Sequence, residues 1–236
     1  MRDQSCPVTP LAFLRLQSWL SPAFPVGSYG YSHGLEWAVE VGHVHDRKSL
    51  VDWLEADLRH GSGRNEAIFF SEAWRSAAED KRAKLLEIAE LAAAFRSTAE
   101  FALESSQQGT ACLIILSQVW SDSLLVWLSE TLRERQVQPA MAVVLGVRSA
   151  RQNLSMSLSL PAFLQSYTAN LVTAGLRLIP LGQTDGQHAI AALEEAALLA
   201  GEEANRLTID DLGSAGIMVD LASIAHETQY TRLFRS

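Results

Sequence analysis

The sequence predicts an all-α fold, and three observations carry that expectation. Apolar residues recur at helical spacing along nearly the whole chain, no segment alternates polar and apolar residues as a strand would, and residues 81 to 118 are rich in the strong helix formers Ala, Leu, Glu and Lys. With 236 residues, 48% of them hydrophobic, the chain can bury a sizeable core. No internal repeat or low-complexity linker divides it, so residues 1–236 read as a single helical domain of about nine to eleven helices.

The elements follow in chain order. Ser21-Pro-Ala-Phe-Pro-Val-Gly-Ser-Tyr-Gly-Tyr-Ser-His-Gly-Leu-Glu36 joins two apolar-periodic stretches, and its two prolines and three glycines specify an ordered loop with a helix expected from near Ser32. Leu50, Trp53, Leu54 and Leu58 form a stripe after Asp46, which is placed to cap their helix. A turn is expected near His60-Gly-Ser-Gly63, two helices broken near Arg96-Ser97 fill residues 81 to 118, and another turn falls near Pro139. Leu160, Phe163, Tyr167, Leu171, Ala174 and Leu178 recur in steps of three or four, with Pro161 near the helix start and Pro180 stopping it. After the turn Pro180-Leu-Gly182, Thr184 or Asp185 can cap a helix carrying Ile190, Leu193, Ala197 and Ala200, and Leu212-Gly-Ser-Ala-Gly216 makes a last turn.

Composition removes several classes of function. The 19 Lys+Arg against 27 Asp+Glu give a net charge of −8 with no basic block, so nucleic acid is not an expected partner. Cys6 and Cys112 are far apart and in no CxxC pair, which fits a reducing compartment rather than a disulfide or zinc framework. The start MRDQSCPVTP has no apolar signal core, and the longest apolar run, Ala140 to Leu145, is far short of the roughly 18 residues of a membrane span. A soluble, cytoplasmic protein is expected, with no membrane partner.

Several motifs invite a chemical reading. Gly30-Tyr-Ser32-His-Gly34 matches the G-x-S-x-G nucleophile elbow, and Asp210 or Asp211 followed by His226 supplies the chain order of a serine hydrolase. That elbow needs a strand leading into it, whereas here two prolines precede it. His43-Val-His45-Asp46 offers two histidines whose rings would point roughly 200° apart on a helix, too few and too divergent for a metal site. No tight nickel site is expected. No Gly-Lys dipeptide occurs, so no Walker cradle binds a nucleotide, and no cofactor is expected. The tryptophans at 19, 37, 53, 74, 120 and 127 sit among apolar residues and read chiefly as core.

Three separated segments carry a family resemblance. The 21–36 loop, the turn Arg177-Leu-Ile-Pro-Leu-Gly-Gln183-Thr-Asp-Gly-Gln187 and the ending His226-Glu227-Thr-Gln-Tyr230-Thr-Arg232-Leu233-Phe234-Arg235-Ser236 resemble, in order, the signatures of the urease accessory protein UreF family. Gln138-Pro139-Ala-Met-Ala-Val-Val-Leu-Gly146 is similar to a further family segment, without the histidine that segment often carries. The resemblance implies an all-helical, non-catalytic adaptor that binds UreD (UreH in some systems), presents a surface to the GTPase UreG, and joins the complex on apo-urease as two associated copies. It further implies coupling of GTP hydrolysis by UreG to nickel delivery and lysine carbamylation. Partner-binding residues are then expected in the loop at Ser28, Tyr29, Tyr31, Ser32, His33 and Glu36 and in the turn at Arg177, Gln183 and Gln187. The ending contributes His226, Glu227, Tyr230, Arg232, Leu233, Phe234 and Arg235. Two amides beside Arg177 make a polar recognition patch, and the ending reads as a tail that stays mobile until a partner docks it.

Overall fold

The computed structural model describes residues 8–235, so Cys6 and Ser236 lie outside the described residues. Among them are eleven α-helices and no strands: α1 Pro10–Leu20, α2 Leu35–Glu40, α3 Arg47–His60, α4 Ser62–Ala78, α5 Arg82–Ala94, α6 Ala99–Val119, α7 Ser123–Glu134, α8 Met141–Arg151, α9 Met156–Leu178, α10 Gln183–Ala204 and α11 Ile217–His226. No described helix is long and apolar enough to cross a membrane.

Helix α4 is the central element because it is buried along most of its length, eleven of its 17 residues. Ala67, Ile68, Phe69, Phe70, Ala73 and Ala77 are all buried, and α8 packs along them with the consecutive run Ala142–Ala150 buried. Contact is this close because Gly146 has no side chain. A Cβ built there would stand 2.4 Å from the Phe70 carbonyl oxygen. The larger apolar cluster gathers around α4 and α8, with Phe70 stacked on Phe163 of α9 at 5.3 Å between ring centres. A smaller cluster unites α2, α3, α9 and α10 through Leu35, Leu50, Leu54, Val172 and Leu193. Tyr167 of α9 touches both. All six tryptophans pack on one cluster or the other, Trp19 as a buried member and the rest half-buried at the margins. Cys112 is wholly buried, and burial alone pushes its thiol far above the usual range, so it behaves as a core residue.

The local signals hold in most places. Asp46 caps α3, its carboxylate accepting the Ser49 amide at 2.8 Å while the Ser49 hydroxyl accepts the Asp46 amide. Exposed His43 and His45 belong to that polar turn. The break near Arg96-Ser97 separates α5 from α6, where Thr98 accepts the Phe101 amide at 3.1 Å as N-cap.

Other boundaries move, each for a physical reason. Helix α2 begins at Leu35 rather than near Ser32, because His33 and Gly34 adopt φ of 58° and 75° and cannot continue a right-handed helix. Helix α9 starts at Met156, so Pro161 lies inside it, where its ring packs beside Gly201 of α10. The N-cap of α10 is Gly182, and Asp185 sits at the third helical position, its carboxylate accepting the Gly182 amide at 3.3 Å. The turn at 60–63 contracts to Gly61 alone between α3 and α4.

Replacing Gly146 by valine forces α4 and α8 apart. The Gly146→Val chain should lose about 2–3 kcal/mol in denaturant unfolding while remaining helical by circular dichroism, since overpacking of a well-filled core costs about this much.

Candidate functional site

The three signature segments, far apart in sequence, come together: Glu36 of α2 joins the loop to the ending, and Arg177 of the turn reaches both. The Glu36 carboxylate is buried and accepts the backbone N–H of Leu233 at 2.6 Å and of Phe234 at 2.9 Å, while its Oε2 faces His226 Nε2 at 3.1 Å. The other ring nitrogen of the fully buried His226 faces both oxygens of Glu100 on α6 at 2.9 Å. Both ring nitrogens thus meet acceptors, which requires N–H at each or one carboxyl carrying the shared proton. Arg232 adds a further contact to Glu100 at 3.4 Å.

The tail is consequently docked on its own chain. Phe234 is only 4% exposed and packs in the smaller cluster, with the Arg177 guanidinium 4.2 Å above its ring. Arg177 also donates to the Tyr29 carbonyl at 2.8 Å, and the Arg235 amide donates to the Gly30 carbonyl at 2.9 Å. Residues 226–235 thus differ from a tail that only a partner could order: a buried carboxylate with two backbone donors is an acceptor set strong enough to hold it on its own chain. The polar patch differs as well. Gln183 and Gln187 are exposed on the first turns of α10, and Arg177 turns to Phe234 and Tyr29 instead of bonding to them.

Among the remaining candidates, Tyr31 is buried and its hydroxyl donates to Gln107 Oε1, whereas Ser28 is half-buried and Tyr29 largely exposed. Ser32 is fully buried with its Oγ accepting the Glu36 amide at 3.3 Å. Glu227, Tyr230, Arg232, Leu233 and Arg235 are exposed. Gly34 lets the loop press on α11, since a Cβ there would lie 2.9 Å from the Ser223 amide.

His33 organises a second network that the sequence did not disclose. Its ring stacks on Phe101 at 3.9 Å between centres, Nδ1 meets Glu104 at 3.0 Å, and Nε2 meets Ser62 Oγ at 2.5 Å. Asp57 of α3 accepts the amides of Ser62 and Gly63 at 3.0 and 3.2 Å, the Ser62 hydroxyl at 2.9 Å and the Tyr167 hydroxyl at 2.7 Å, so it caps α4 from the preceding helix. Burial, then the nearby Asp57 charge, holds the Tyr167 phenol well above its usual range. Glu100 and Glu104 stand four apart on α6, each receiving a histidine from another element. The i,i+4 spacing of two acids in an apolar helix was the available signal, but their partners come from loops and termini.

The serine-hydrolase reading finds no support at either histidine. His226 has no nitrogen left for Ser32, while Asp211 closes its own turn by accepting the Thr208 amide at 2.9 Å. Ser62, His33 and Glu104 do line up in triad order, yet the Ser62 proton points to Asp57 and the adjacent helix amides are already taken by the same carboxylate. The two acids flanking His226 lie on opposite ring nitrogens, and among the described residues no three metal-type ligands converge.

The sequence model of the UreF family matches residues 44–194. The chain belongs to the UreF family. It is 47% identical over 222 residues to a urease accessory protein UreF of Rhodopseudomonas palustris strain BisB5, covering 94% of this chain and 90% of the relative. It is 48% identical over 225 residues to that of Granulibacter bethesdensis, covering 95% and 94%, and 44% identical over 225 residues to that of Bradyrhizobium diazoefficiens, covering 95% and 92%. The UreF motifs noted at both ends of the chain fall largely outside the matched span, and in this UreF-family fold they meet at Glu36.

Two predictions follow from the site. Glu36→Ala leaves His226 and two backbone amides without their acceptor, and should cost about 3–5 kcal/mol, the usual cost of breaking a buried pair from one side, read by chemical denaturation. It should also expose residues 227–235 to limited proteolysis. The second concerns pH. Burial alone would lower His33, but the Glu104 charge and hydrogen bond outweigh it and hold His33 above its ordinary 6.5. Burial likewise raises Glu100 above 4.5 against the opposing His226 and Arg232. Each folded form therefore binds its proton more tightly than the unfolded chain, so their stabilisation is complete at low pH and lost as pH rises through the folded values. The melting temperature should fall from about pH 6 to about pH 8, and His33→Gln should flatten that slope.

Proposed function

We propose that this UreF-family chain is a non-catalytic, cytoplasmic adaptor of urease maturation that binds UreD (UreH) and offers a second surface to UreG on apo-urease, working as two associated copies. It needs no cofactor of its own. One observation carries the reading. Helix α11 is amphipathic in an unusual sense: Val219, Ala222, Ser223 and His226 are buried, while Ile217, Met218, Leu221 and Ile224 form an outer face between 46% and 64% exposed. Leu103 of the adjoining α6 and Leu233 and Tyr230 of the tail are exposed too. An apolar helix face left open to water is costly unless a partner covers it. Arg232 and Arg235 flank the tail with cations suited to a partner's carboxylates.

In this arrangement the buried members of the signature motifs support the docking face from behind, and the exposed members touch the partner. Glu36, His226 and Phe234 hold α11 and the tail in place; Tyr29, Glu227, Tyr230, Leu233 and Arg235 belong to the contact. Gln183 and Gln187, standing apart on α10, suit the second partner.

Leu221→Asp or Ile224→Asp should leave the melting temperature nearly unchanged and lower the yield of UreD on co-purification at least about tenfold, because a charge in the middle of an apolar interface is desolvated without a mate. Undiminished recovery of UreD with both variants would overturn the assignment of this face. A fluorophosphonate probe should label neither Ser32 nor Ser62; stoichiometric labelling at either would restore the enzyme reading.

A further inference from the structure

Three arginines gather where α1, the last turns of α8 and the cap of α7 meet. Arg15 Nη1 donates to Gln152 Oε1 at 2.5 Å, and Arg151 Nε contacts the two oxygens of Asp122 at 3.1 and 3.2 Å. Arg148 lies one turn before Arg151 and Gln152, on the same face of α8. It is the unusual member. Only 3% of it is exposed, and its guanidinium carbon stands 5.4 Å from the centre of the Trp19 ring, one turn beyond Arg15 on α1. Among the described residues its side chain makes no hydrogen bond and no ion pair: Nε is sealed from solvent without an acceptor, whereas Nη1 and Nη2 lack acceptors but keep an accessible edge. The Trp19 ring attracts the charge but supplies no acceptor oxygen. A guanidinium buried this far ordinarily meets a carboxylate or a carbonyl, so the accessible Nη edge is where an acceptor from outside the chain would complete the group.

The neighbouring charges select the kind of acceptor. Asp122 is already committed, since it takes Arg151 and also caps α7 by accepting the Leu124 amide at 2.9 Å. Burial holds Arg148 below the usual arginine range, Asp122 opposes that shift, and the like charges of Arg15 and Arg151 add to it. Three guanidinium groups therefore face one carboxylate. With Arg151 and Asp122 cancelling, Arg15 and Arg148 leave two positive charges without a counter-ion. A single carboxylate would neutralise only one of them, and a neutral oxygen neither; a doubly charged oxyanion neutralises both. Its adjoining oxygens also match the planar fork of a guanidinium, and the positive end of the 12-residue α7 lies beside Arg151.

We propose that Arg15, Arg148 and Arg151 form a binding site for a dianionic oxyanion of the phosphate type, which accepts from the Nη edge of Arg148 and from Arg15 while Trp19 holds the Arg148 side chain from behind. Inorganic phosphate and a phosphate monoester share this chemistry, and the experiment separates them. The site uses none of the residues of the α11 face and stands independently of the adaptor reading.

The test titrates the full chain with inorganic phosphate, phenyl phosphate and acetate by isothermal calorimetry, at constant ionic strength so that screening is the same in each. Phosphate should bind at least about tenfold more tightly than acetate, the consequence of one further charge-assisted hydrogen bond. Arg148→Met should lower phosphate affinity at least about tenfold, yet its melting temperature in phosphate-free buffer should not fall, because an apolar side chain replaces a buried charge that has no mate. Two further variants leave the buried packing alone. Arg15→Gln should weaken phosphate binding by a similar factor, and Asp122→Asn, which retains the cap of α7 and removes the competing charge, should strengthen it several-fold. Phenyl phosphate binding as tightly as phosphate assigns the site to a phosphate group carried on another molecule, and binding at least about tenfold weaker assigns it to the free ion. Equal affinity for acetate and phosphate overturns the site. So does a phosphate affinity that Arg148→Met and Asp122→Asn both leave unchanged, the mark of an adventitious ion only.

Discussion

One carboxylate sets the arrangement of the functional end of this molecule. Glu36 is buried, and a buried acid is tolerated only where donors surround it. Here the donors are two successive amides of the C-terminal tail and the ring of His226, so the charge can be accommodated only if the first sixth and the last tenth of the chain come together. The rest follows by contact. Docking Leu233 and Phe234 places the phenylalanine under Arg177, Arg177 then reaches Tyr29, and Arg235 closes on Gly30. Removing that acceptor would strand every one of these groups at once.

The polar networks are embedded in a scaffold held by apolar packing. Helices α4 and α8 interlock because small residues line their crossing, and the long α9 joins the two apolar clusters. Against this background, Glu100 and Glu104 each receive a histidine, and Asp57 caps the helix that follows its own. Buried ionic contacts of this kind add little net stability compared with apolar replacements, but each is costly to break from one side. Their effect is to admit one arrangement of loop, α6 and α11. That arrangement leaves the outer face of α11 apolar and open.

The motifs and the surface therefore have different roles. Glu36, His226 and Phe234 all belong to the signature segments, and all three are buried. Tyr230 and Leu233, their neighbours in sequence, are exposed. A signature can mark the frame that presents a surface as readily as the surface itself.

The sequence by itself determined the helical class, because apolar spacing of three and four residues admits only a helix that buries one face, and it determined local caps such as Asp46, whose carboxylate reaches an amide three residues away. It also carried the family, since the three motifs are contiguous strings. What it could not determine is any partner brought from a distance. Nothing local distinguishes a Phe234 that waits for another protein from one that packs under Arg177, or a Glu36 exposed on a loop from one buried against an amide nearly two hundred residues later. Only the tertiary structure decided those, because the donors that make a buried charge affordable come from α6, α11 and the tail, and which face of α11 remains open depends on which face those contacts use up.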